Sequence, residues 1–457
     1  MAISSLGVGS NILTQDVLDQ LRAADEASII QPITLNIADE NDKKDALAVI
    51  DASMTNLIDS ITAIKSQALF DERATTVTGT SVAVTAAANS DIQTFTLDVA
   101  NLATKQIEQS GAFTASTDTV ATAAGSMNLN IDGLDFAINY DATTTLNDLK
   151  NSINSVAGTK VDATIVQINA TDFRLFVSSV DTGTTQNITM TDTTGGLADT
   201  RLTTGMTAIQ TGVDANFTFN GQAVTRSSNN ITDLITGLDI TLKEVGSSTV
   251  DVAQNRDGIT TKIDSFVEKY NAAIAELDKM TKSTTDSADR GIFSGESTIK
   301  NMKRTLQDMI SNVGGGVGSM LDYGFDIDVD GVMTFDKVAF NTQMDANPTN
   351  VEAFLVGGTF TNPDLTTTAV TGAFNEIATT VETYTKYNAT LDQFKDSITQ
   401  TISSLEDRKT SATERLDARY EILKKQFTAY DLMISKFNSA SSMFTQMANA
   451  QLATSYN

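Results

Sequence analysis

Three aspartates spaced two residues apart are the clearest candidate for metal chemistry in the sequence. Asp326, Asp328 and Asp330 precede Gly331, which matches the opening of an EF-hand calcium loop. An EF-hand also needs a bidentate glutamate at its twelfth position and a helix on each side. Here the twelfth position is Lys337, and apolar residues alternate on both flanks. We therefore interpret the segment as a β-hairpin with outward-facing acids and expect no metal site.

The glycine-rich stretch at 312–319, NVGGGVGS, is a second candidate because backbone N–H groups in such loops can hold phosphate. It lacks the Lys-Ser/Thr pair of a phosphate-binding loop and does not match the G-x-G-x-x-G spacing. We interpret it as a flexible connector and expect no bound cofactor.

The residue types that most enzymes use are missing from the chain. Its 457 residues include no His, no Cys and no Trp. Disulfides, zinc–thiolate sites and cysteine nucleophiles are therefore excluded, as are most designs with a general base. An enzyme that uses only carboxylates, Lys or Tyr is an alternative. The sequence, however, shows no pair of acidic residues in a pattern typical of a catalytic pocket. We predict that the protein is not an enzyme.

The charge balance and the N-terminus limit the partners. The formal net charge is −26, which repels nucleic acids and anionic lipid surfaces. Met1 and the residues after it lack the basic region and apolar core of a secretory signal peptide. No apolar run reaches about 18 residues. We expect no nucleic-acid partner and no membrane span.

Apolar residues near the N-terminus recur every three or four positions. From residue 47 onward the steps alternate strictly, through Leu47, Ile50, Met54, Leu57, Ile61, Ile64 and Ala68. This is a heptad seam, the pattern by which helices pair into coiled coils or bundles. A narrower stripe precedes it at Leu13, Val17, Leu21 and Ala24. Pro32, between the two, marks a helix start or a kink.

The C-terminal end carries a longer pattern of the same kind. One seam runs through Ile398, Ile402, Leu405, Ala412 and Leu416, and a shifted one through Tyr420, Leu423, Phe427, Tyr430, Ile434, Phe437, Ser441 and Phe444. No Pro or Gly occurs between Ala373 and Asn457, so the spacing predicts a helix of up to about 120 Å if it is unbroken. Two long stripes at opposite ends favour pairing of the termini or assembly between subunits.

The middle of the chain, roughly 75–260, follows a different pattern. Apolar residues alternate there, as at Phe95, Leu97 and Val99, which is typical of half-buried strands. Asn220-Gly221 between two such runs predicts a hairpin with a type I′ turn. Residues 145–156 have helical spacing, and Asn230 looks like the N-cap of a short helix that Gly237 closes. The sequence thus predicts an α+β multidomain protein.

Several motifs in order resemble the flagellar hook-associated protein 2 family, the filament caps. Residues 5–10 form a glycine-rich start ahead of a helix, and 95–113, FTLDVANLATKQIEQSGAF, look like a segment that cap and hook proteins share. Residues 145–183 look like a small flagellin-associated insert module. The other motifs are FTFNGQAVTRSSN at 217–229, FVEKYN at 266–271, RGIFSGES at 290–297 and YGFDIDVDGVMTFD at 323–336.

The resemblance implies a long helical coiled-coil leg made from both termini, and β-rich nested head domains. The terminal helical segments that contact the filament are then 1–40 and 416–457. The leg domain combines 41–77 with 254–415. The head combines 78–114 with 206–253, and a nested insert domain occupies 115–205.

The resemblance also implies a function, partners and a location. Cap proteins form a ring of identical subunits, commonly a pentamer, at the tip of the bacterial flagellum. They promote flagellin folding and polymerisation and prevent flagellin loss. The implied partners are the chain itself, flagellin, the hook–filament junction protein and an export chaperone. The implied location is extracellular, after export through flagellar type III secretion. A surface adhesin that binds host mucin or glycan through the β-rich head is the alternative.

Two sets of residues carry these expectations. The leg should form by pairing of Leu47, Ile50, Met54, Leu57, Ile61 and Ile64 with Ile398, Ile402, Leu405 and Leu416. The contacts to flagellin or junction protein should come from Ile12, Leu13, Val17, Phe427, Ile434, Phe437 and Phe444.

Overall fold

A computed structural model describes residues 14–455 except 198, 199, 287 and 315. The chain divides into two compact units. The helical unit combines the residues up to Ser66 with those from Thr260 onward, and the β-rich unit is Gln67–Ile259. The finer four-part division expected from the sequence stays a prediction.

Long helices lie at both ends of the described chain, and most strands lie between them. The helices are α1 (Gln15–Ile64), α2 (Ala68–Asp71), α3 (Leu146–Ala157), α4 (Arg256–Thr281), α5 (Ser297–Asn312), α6 (Lys337–Ala346), α7 (Pro348–Val356), α8 (Ala373–Thr385) and α9 (Thr390–Ser455). The strands are β1 (Arg73–Thr78), β2 (Val82–Ala86), β3 (Gln93–Asn101), β4 (Ile107–Gln109), β5 (Gly125–Ile131), β6 (Leu134–Tyr140), β7 (Val161–Asn169), β8 (Asp172–Ser179), β9 (Thr189–Asp192), β10 (Thr207–Gln210), β11 (Ala215–Phe219), β12 (Gln222–Arg226), β13 (Asn230–Ile231), β14 (Leu238–Leu242), β15 (Gly246–Gln254), β16 (Phe325–Ile327), β17 (Met333–Phe335), β18 (Gly358–Thr361) and β19 (Thr367–Val370). The predicted α+β class is confirmed.

The first long helix begins after Thr14, whose side-chain oxygen accepts a hydrogen bond from the backbone N–H of Val17 at 3.4 Å. This is the usual role of an N-cap residue. Pro32 lies inside α1, so the interpretation of Pro32 as a helix start is wrong. An interior proline removes a backbone hydrogen bond. Helix α1 packs on α8 and α9, and such tertiary packing is what supplies most of the stability of a helix.

The C-terminal helix is broken where the sequence contains neither Pro nor Gly. Because α8 ends at Thr385 and α9 begins at Thr390, the stretch is two helices, and the length given for the case of an unbroken helix is not reached. Asn388 makes the break: its φ of 60° is left-handed, a conformation that asparagine adopts at less cost than most residues. Its backbone N–H donates to Asp392 Oδ2 at 3.0 Å, at the start of α9. The 66 residues of α9 span about 100 Å at 1.5 Å per residue.

The outer part of the β-rich unit consists of two antiparallel sheets around one apolar core. A five-stranded sheet has the order β1-β15-β3-β11-β12, and a three-stranded sheet has the order β13-β14-β2. Every second residue of β3 points into the core, where Phe95, Leu97 and Val99 are buried. The predicted alternation is therefore confirmed in this strand.

The β11–β12 hairpin turns at Asn220 and Gly221, as the sequence predicts. Their φ values are 48° and 82°, and a type I′ turn needs positive φ at both positions. The shape of this turn follows from two adjacent residues, so it could be predicted locally.

The expected short helix after Asn230 is absent from the described residues 230–237. Asn230 and Ile231 form β13 instead and pair with Thr241 and Ile240 of β14. This pairing buries Ile231 to 2% exposure. A helix of two turns is marginal on its own, so a strand pairing that buries an isoleucine prevails.

The inner part of the β-rich unit is nested between β3 and β11 in the chain. A four-stranded sheet has the order β10-β4-β8-β7, and a three-stranded sheet has the order β6-β5-β9. The predicted helix at 145–156 is confirmed as α3, with a capping box between Thr145 and Asp148. Its buried face, with Leu149 and Ile153, belongs to the same core as Leu175 of β8.

The aspartate-rich segment forms the β16–β17 hairpin, as the alternation predicts. The carboxylate of Asp328 accepts the backbone N–H groups of Asp330 and Val332 at 2.9 and 2.8 Å. This acid therefore supports its own turn. In the part of the chain that the structure describes, no cluster of three His, Cys, Asp or Glu side chains could hold a metal ion.

One stretch of α1 is long and apolar enough to cross a membrane by length and composition alone. Of its 18 residues, 39% are buried inside the protein. Core helices of soluble proteins meet the same criteria, and α1 packs on α8 and α9. The expectation of no membrane span stays a prediction.

Candidate assembly surface on the terminal helices

Helices α1 and α9 lie side by side and run in opposite directions. Arg22, near the start of α1, forms an ion pair with Asp417 in the middle of α9. Leu47, further along α1, lines a small cavity with Leu391 at the start of α9. Residue numbers thus increase along α1 in the direction in which they decrease along α9, so the two helices form an antiparallel pair.

The described start of α1 lies beside the middle of α9. Gln15 lines a second cavity together with Lys424. Since the helices are antiparallel, the residues of α9 beyond this point extend past the described start of α1. We call residues 421–451 distal α9 and residues 390–420 proximal α9.

The apolar seam predicted in α1 is fully buried. The six residues are between 0% and 2% exposed: Leu47, Ile50, Met54, Leu57, Ile61 and Ile64. On α9, Ile398, Leu405 and Leu416 are buried, and Ile402 is half-buried. These positions therefore belong to the interior of the helical unit. Their role in assembly stays a prediction.

The predicted pairing of the two seams is wrong for Leu416, and the seam spacing predicts no register for the others. Leu416 belongs to a cluster with Leu18 and Tyr420, at the start of α1, and not to the seam that begins at Leu47. Leu47 itself lies beside Leu391. Helix α1 also packs on α8. Heptad spacing alone permits several registers, because it repeats every seven residues.

Polar residues around Tyr420 join the two helices in the observed register, and we call them the polar clamp. The Tyr420 hydroxyl donates to Asp25 Oδ2 at 2.8 Å, and Arg419 Nη1 lies 3.2 Å from the same oxygen. Arg22 pairs with Asp417 beside them. These contacts join residues that are about 395 positions apart in the chain.

The surroundings of the polar clamp favour the protonated forms of Tyr420 and Arg22. Burial, and then the hydrogen bond to Asp25, raises the pKa of Tyr420 above its ordinary value. Hydrogen bonds to Glu26 and Asp417 raise the pKa of Arg22. Ion pairs at this level of exposure contribute little stability. They do, however, join α1 and α9 in one particular register.

Distal α9 exposes most of its large apolar side chains. Phe437 is 69% exposed and Phe444 is 71% exposed. The other exposed members are Ile422, Tyr430, Leu432, Met433, Met443 and Met447. A group of exposed apolar side chains of this size usually marks a site of interaction with another molecule. It is the strongest candidate for a functional surface among the described residues.

The residues predicted to contact the filament fall into three groups. Ile12 and Leu13 lie outside the described residues. Phe427 is half-buried and packs against the cluster of Leu18, Leu416 and Tyr420, and Ile434 is half-buried as well. Val17, at 36%, Phe437 and Phe444 are exposed. Only the last group is free to contact another molecule without rearrangement of the helix pair.

The polar clamp was not predicted, because no local pattern in the sequence reveals it. Arg22 and Asp25 lie in a stretch of α1 with many charged residues. Asp417 and Arg419 lie in a similar stretch of α9. A search for opposite charges that meet in an antiparallel α1–α9 pairing could have found them. That search requires the orientation of the helices to be assumed first.

Two family models match the chain. The model described as flagellar hook-associated protein 2 N-terminus matches residues 10–106, and the one described as flagellar hook-associated protein 2 C-terminus matches residues 212–439. Together they span most of the chain, including α1 and most of α9.

Individual proteins of that description are similar over different lengths. Flagellar hook-associated protein 2 of Helicobacter pylori is 31% identical over 193 residues, which are 40% of this chain and 28% of that protein. The Escherichia coli protein is 26% identical over 468 residues, 97% of this chain and 98% of that protein. The crystal structure of the Escherichia coli flagellar cap protein (domains D1, D2 and D3) superposes with a TM-score of 0.57 at 22% identity. That match covers 78% of this chain and 99% of that one, and it shows a shared fold.

Proposed function

The chain belongs to the flagellar hook-associated protein 2 family, the cap proteins of the flagellum, and from this premise we propose that it caps the filament as a ring of identical subunits. In this proposal the ring promotes the folding and polymerisation of flagellin at the tip and prevents its loss. The number of subunits that we expect is five.

The exposed apolar surface of distal α9 is the observation that carries the proposal. Its phenylalanines at 437 and 444 lie near the C-terminal end of a helix whose proximal half is covered by α1. Apolar side chains gain about 25 cal/mol for each Å² that is removed from water. A partner that covers this surface therefore gains binding energy that the isolated chain leaves unused.

The proposed mechanism follows from the shape of that surface. A growing filament presents apolar terminal segments of flagellin that are not yet covered by the next subunit. Distal α9 offers a helical apolar face against which such segments can pack, as amphipathic helices do in grooves. The cap shelters them until the arriving subunit folds, and then moves to the next position. No bond is made or broken in this process.

The partners and the route of export belong to the same proposal. The expected partners are flagellin, the hook–filament junction protein and, before export, a chaperone. The chain would leave the cell unfolded through the flagellar type III channel and act outside it. The lack of Cys suits this passage between redox compartments, because no disulfide can form on the way. The comparisons give no support to the alternative of a glycan-binding adhesin.

The proposal is tested in a strain that lacks the gene, complemented with the full chain or with a chain that lacks residues 420–457. The deletion strain should be non-motile and shed unpolymerised flagellin into the medium, and the full chain should restore filaments. The truncated chain should leave the β-rich unit folded and fail to restore filaments. Normal filaments with the truncated chain would contradict the role of distal α9, and normal filaments in the deletion strain would contradict capping itself.

A further inference from the structure

Three methionines of distal α9 differ in exposure from the other methionines that the structure describes. The sequence contains 14 methionines, and all but Met1 lie in the described residues. Met433, Met443 and Met447 are 55%, 64% and 63% exposed. The other ten are buried or half-buried, and Met54 and Met302 are fully buried. The exposed thioethers of the described chain are therefore concentrated on one helix.

These thioethers lie beside the phenylalanines on which the proposed contact depends. Residues three or four positions apart lie on the same side of a helix, which places Met433 beside Phe437 and Met447 beside Phe444. Met443 is four residues before Met447, so it is a neighbour of the same group. A thioether is apolar and polarisable, and it packs well against aromatic rings and at binding surfaces. The three methionines thus belong to the exposed apolar surface of distal α9.

Charged residues are absent from the sequence around Met443 and Met447. No Lys, Arg, Asp or Glu occurs in residues 437–457, FNSASSMFTQMANAQLATSYN, although the chain has a net charge of −26. Apolar area is therefore the main property that this surface presents to a partner. A modification that adds a polar group there would remove that property.

The chain presents few other side chains that hydrogen peroxide oxidises readily. Thiols and thioethers are the usual targets of such oxidation, and the chain has no Cys. It has no Trp and no His either. Since oxidation follows exposure, the buried thioethers should react slowly. The three exposed methionines should therefore react first.

We propose that Met433, Met443 and Met447 form an oxidation site at which hydrogen peroxide abolishes the apolar character of distal α9. One peroxide oxygen is transferred to the thioether sulfur as the O–O bond breaks, and the other oxygen leaves as water. The sulfur is oxidised by two electrons and the peroxide is reduced by two, so no further reactant is required. The product is methionine sulfoxide, a polar side chain in place of an apolar one.

The effect on docking follows from the polarity of the sulfoxide, and it rests on the proposed function of distal α9. A sulfoxide oxygen that is covered without a hydrogen-bond donor loses its hydration, so each such group should weaken docking about tenfold or more. In an assembled cap a partner covers this surface, so the sensitive form is the chain that has not yet docked. Because the three side chains are mostly exposed, their oxidation should leave the helix pair folded.

Peptide mapping of the purified full chain after brief peroxide treatment tests the site without an assay of function. Met433, Met443 and Met447 should oxidise at least about tenfold faster than the buried Met54 and Met302. Retention of the chain on a hydrophobic-interaction column should fall at the same time, while the helical circular dichroism signal stays unchanged. Equal oxidation rates at the exposed and the buried methionines would overturn the proposal.

A variant that cannot be oxidised at this site tests the effect on docking. Leucine is close to methionine in volume and has no sulfur. Met433→Leu, Met443→Leu and Met447→Leu together should therefore keep the apolar surface and remove the reaction. The matched control is Met206→Leu with Met280→Leu, which removes two half-buried methionines and leaves the site intact.

Regrowth of sheared filaments with sublethal peroxide compares these chains in the deletion strain, because new caps must then form from chains that have not docked. Without peroxide, the natural chain and both variants should support filaments. With peroxide, the natural chain and the control should shed flagellin, and the leucine variant should retain filaments. Equal flagellin loss with the natural chain and the leucine variant, or no loss with either, would overturn the proposal. Failure of all three chains without peroxide would contradict filament capping and with it the effect on docking, whereas the peptide map alone decides whether the oxidation site exists.

Discussion

The two halves of α9 carry apolar residues at similar helical spacing, but the far end of distal α9 is not covered. In proximal α9 the apolar positions pack on α1, and Leu416 is 3% exposed. In distal α9 Phe437 and Phe444 are about as large and as regularly spaced, yet each is more than two-thirds exposed. Periodicity therefore predicts that a helix has an apolar face, but not which molecule covers it.

This difference separates stability from function within one helix. Residues of proximal α9 contribute to the folding of the isolated chain, because their apolar surface leaves water on folding. The exposed residues of distal α9 contribute little to folding, and in the proposed function their apolar surface is the one that a partner covers. Alanine substitution of an apolar residue should therefore lower the stability of the fold in proximal α9 and leave it almost unchanged in distal α9.

The sharpest test of this comparison is alanine substitution at one position in each half. Leu416→Ala should lower the free energy of unfolding of the helical unit by about 2–5 kcal/mol, because it leaves a cavity in a buried cluster. Phe437→Ala should change it by no more than about 0.5 kcal/mol, because the side chain is exposed. Denaturant unfolding of purified protein, followed by helical circular dichroism, measures both.

Equal losses of unfolding free energy in the two variants would contradict the difference between the two halves of α9. They would mean that distal α9 is covered within the chain. Leu416→Met keeps the volume and should restore most of the stability lost in Leu416→Ala, which checks that the loss comes from packing.

Two tyrosines on α9 give a smaller effect that depends on pH. Tyr420→Phe removes the hydrogen bond to Asp25 and should lower the unfolding midpoint by less than Leu416→Ala does, whereas Tyr430→Phe, at a 58% exposed residue, should leave it unchanged. The pKa of Tyr420 is raised by burial and by Asp25, so the unfolded chain loses this proton first as the pH rises. The contribution of Tyr420 is therefore complete below pH about 10 and is lost above it.

Unfolding midpoints measured between neutral pH and strongly alkaline pH test this point. The natural chain should lose its advantage over Tyr420→Phe as the pH rises through the raised pKa of Tyr420. A constant difference across that range would show that the Tyr420 hydroxyl does not stabilise the fold through its proton.

Local patterns were enough to predict the elements whose cause is local. The heptad steps from Leu47 to Ile64 indicated a buried helical face, because each step returns to the same side of a helix. The turn at Asn220-Gly221 and the hairpin at 325–335 were predictable for the same reason, since positive φ and alternation are properties of neighbouring residues.

The remaining features depend on contacts between distant residues. The register of α1 against α9 depends on pairs such as Arg22 with Asp417, and heptad spacing does not choose among registers. The helix break at Asn388 could not be predicted from a Gly or Pro, because neither residue occurs there. The strand at Asn230 exists because β14 pairs with it, and β14 follows only after a turn. In each case tertiary contacts override the local preference.

The central claim is that capping requires the exposed apolar residues of distal α9. Its most direct test is whether a chain with Phe437→Asp and Phe444→Asp supports filaments. Charged residues at these positions should abolish contacts of the exposed face without unfolding the helix pair. Complementation of a deletion strain with this variant should give non-motile cells and unpolymerised flagellin in the medium. Tyr387→Asp, at a 96% exposed residue between α8 and α9, is the matched control and should support normal motility. Normal filaments and no excess flagellin with the double variant would contradict the account.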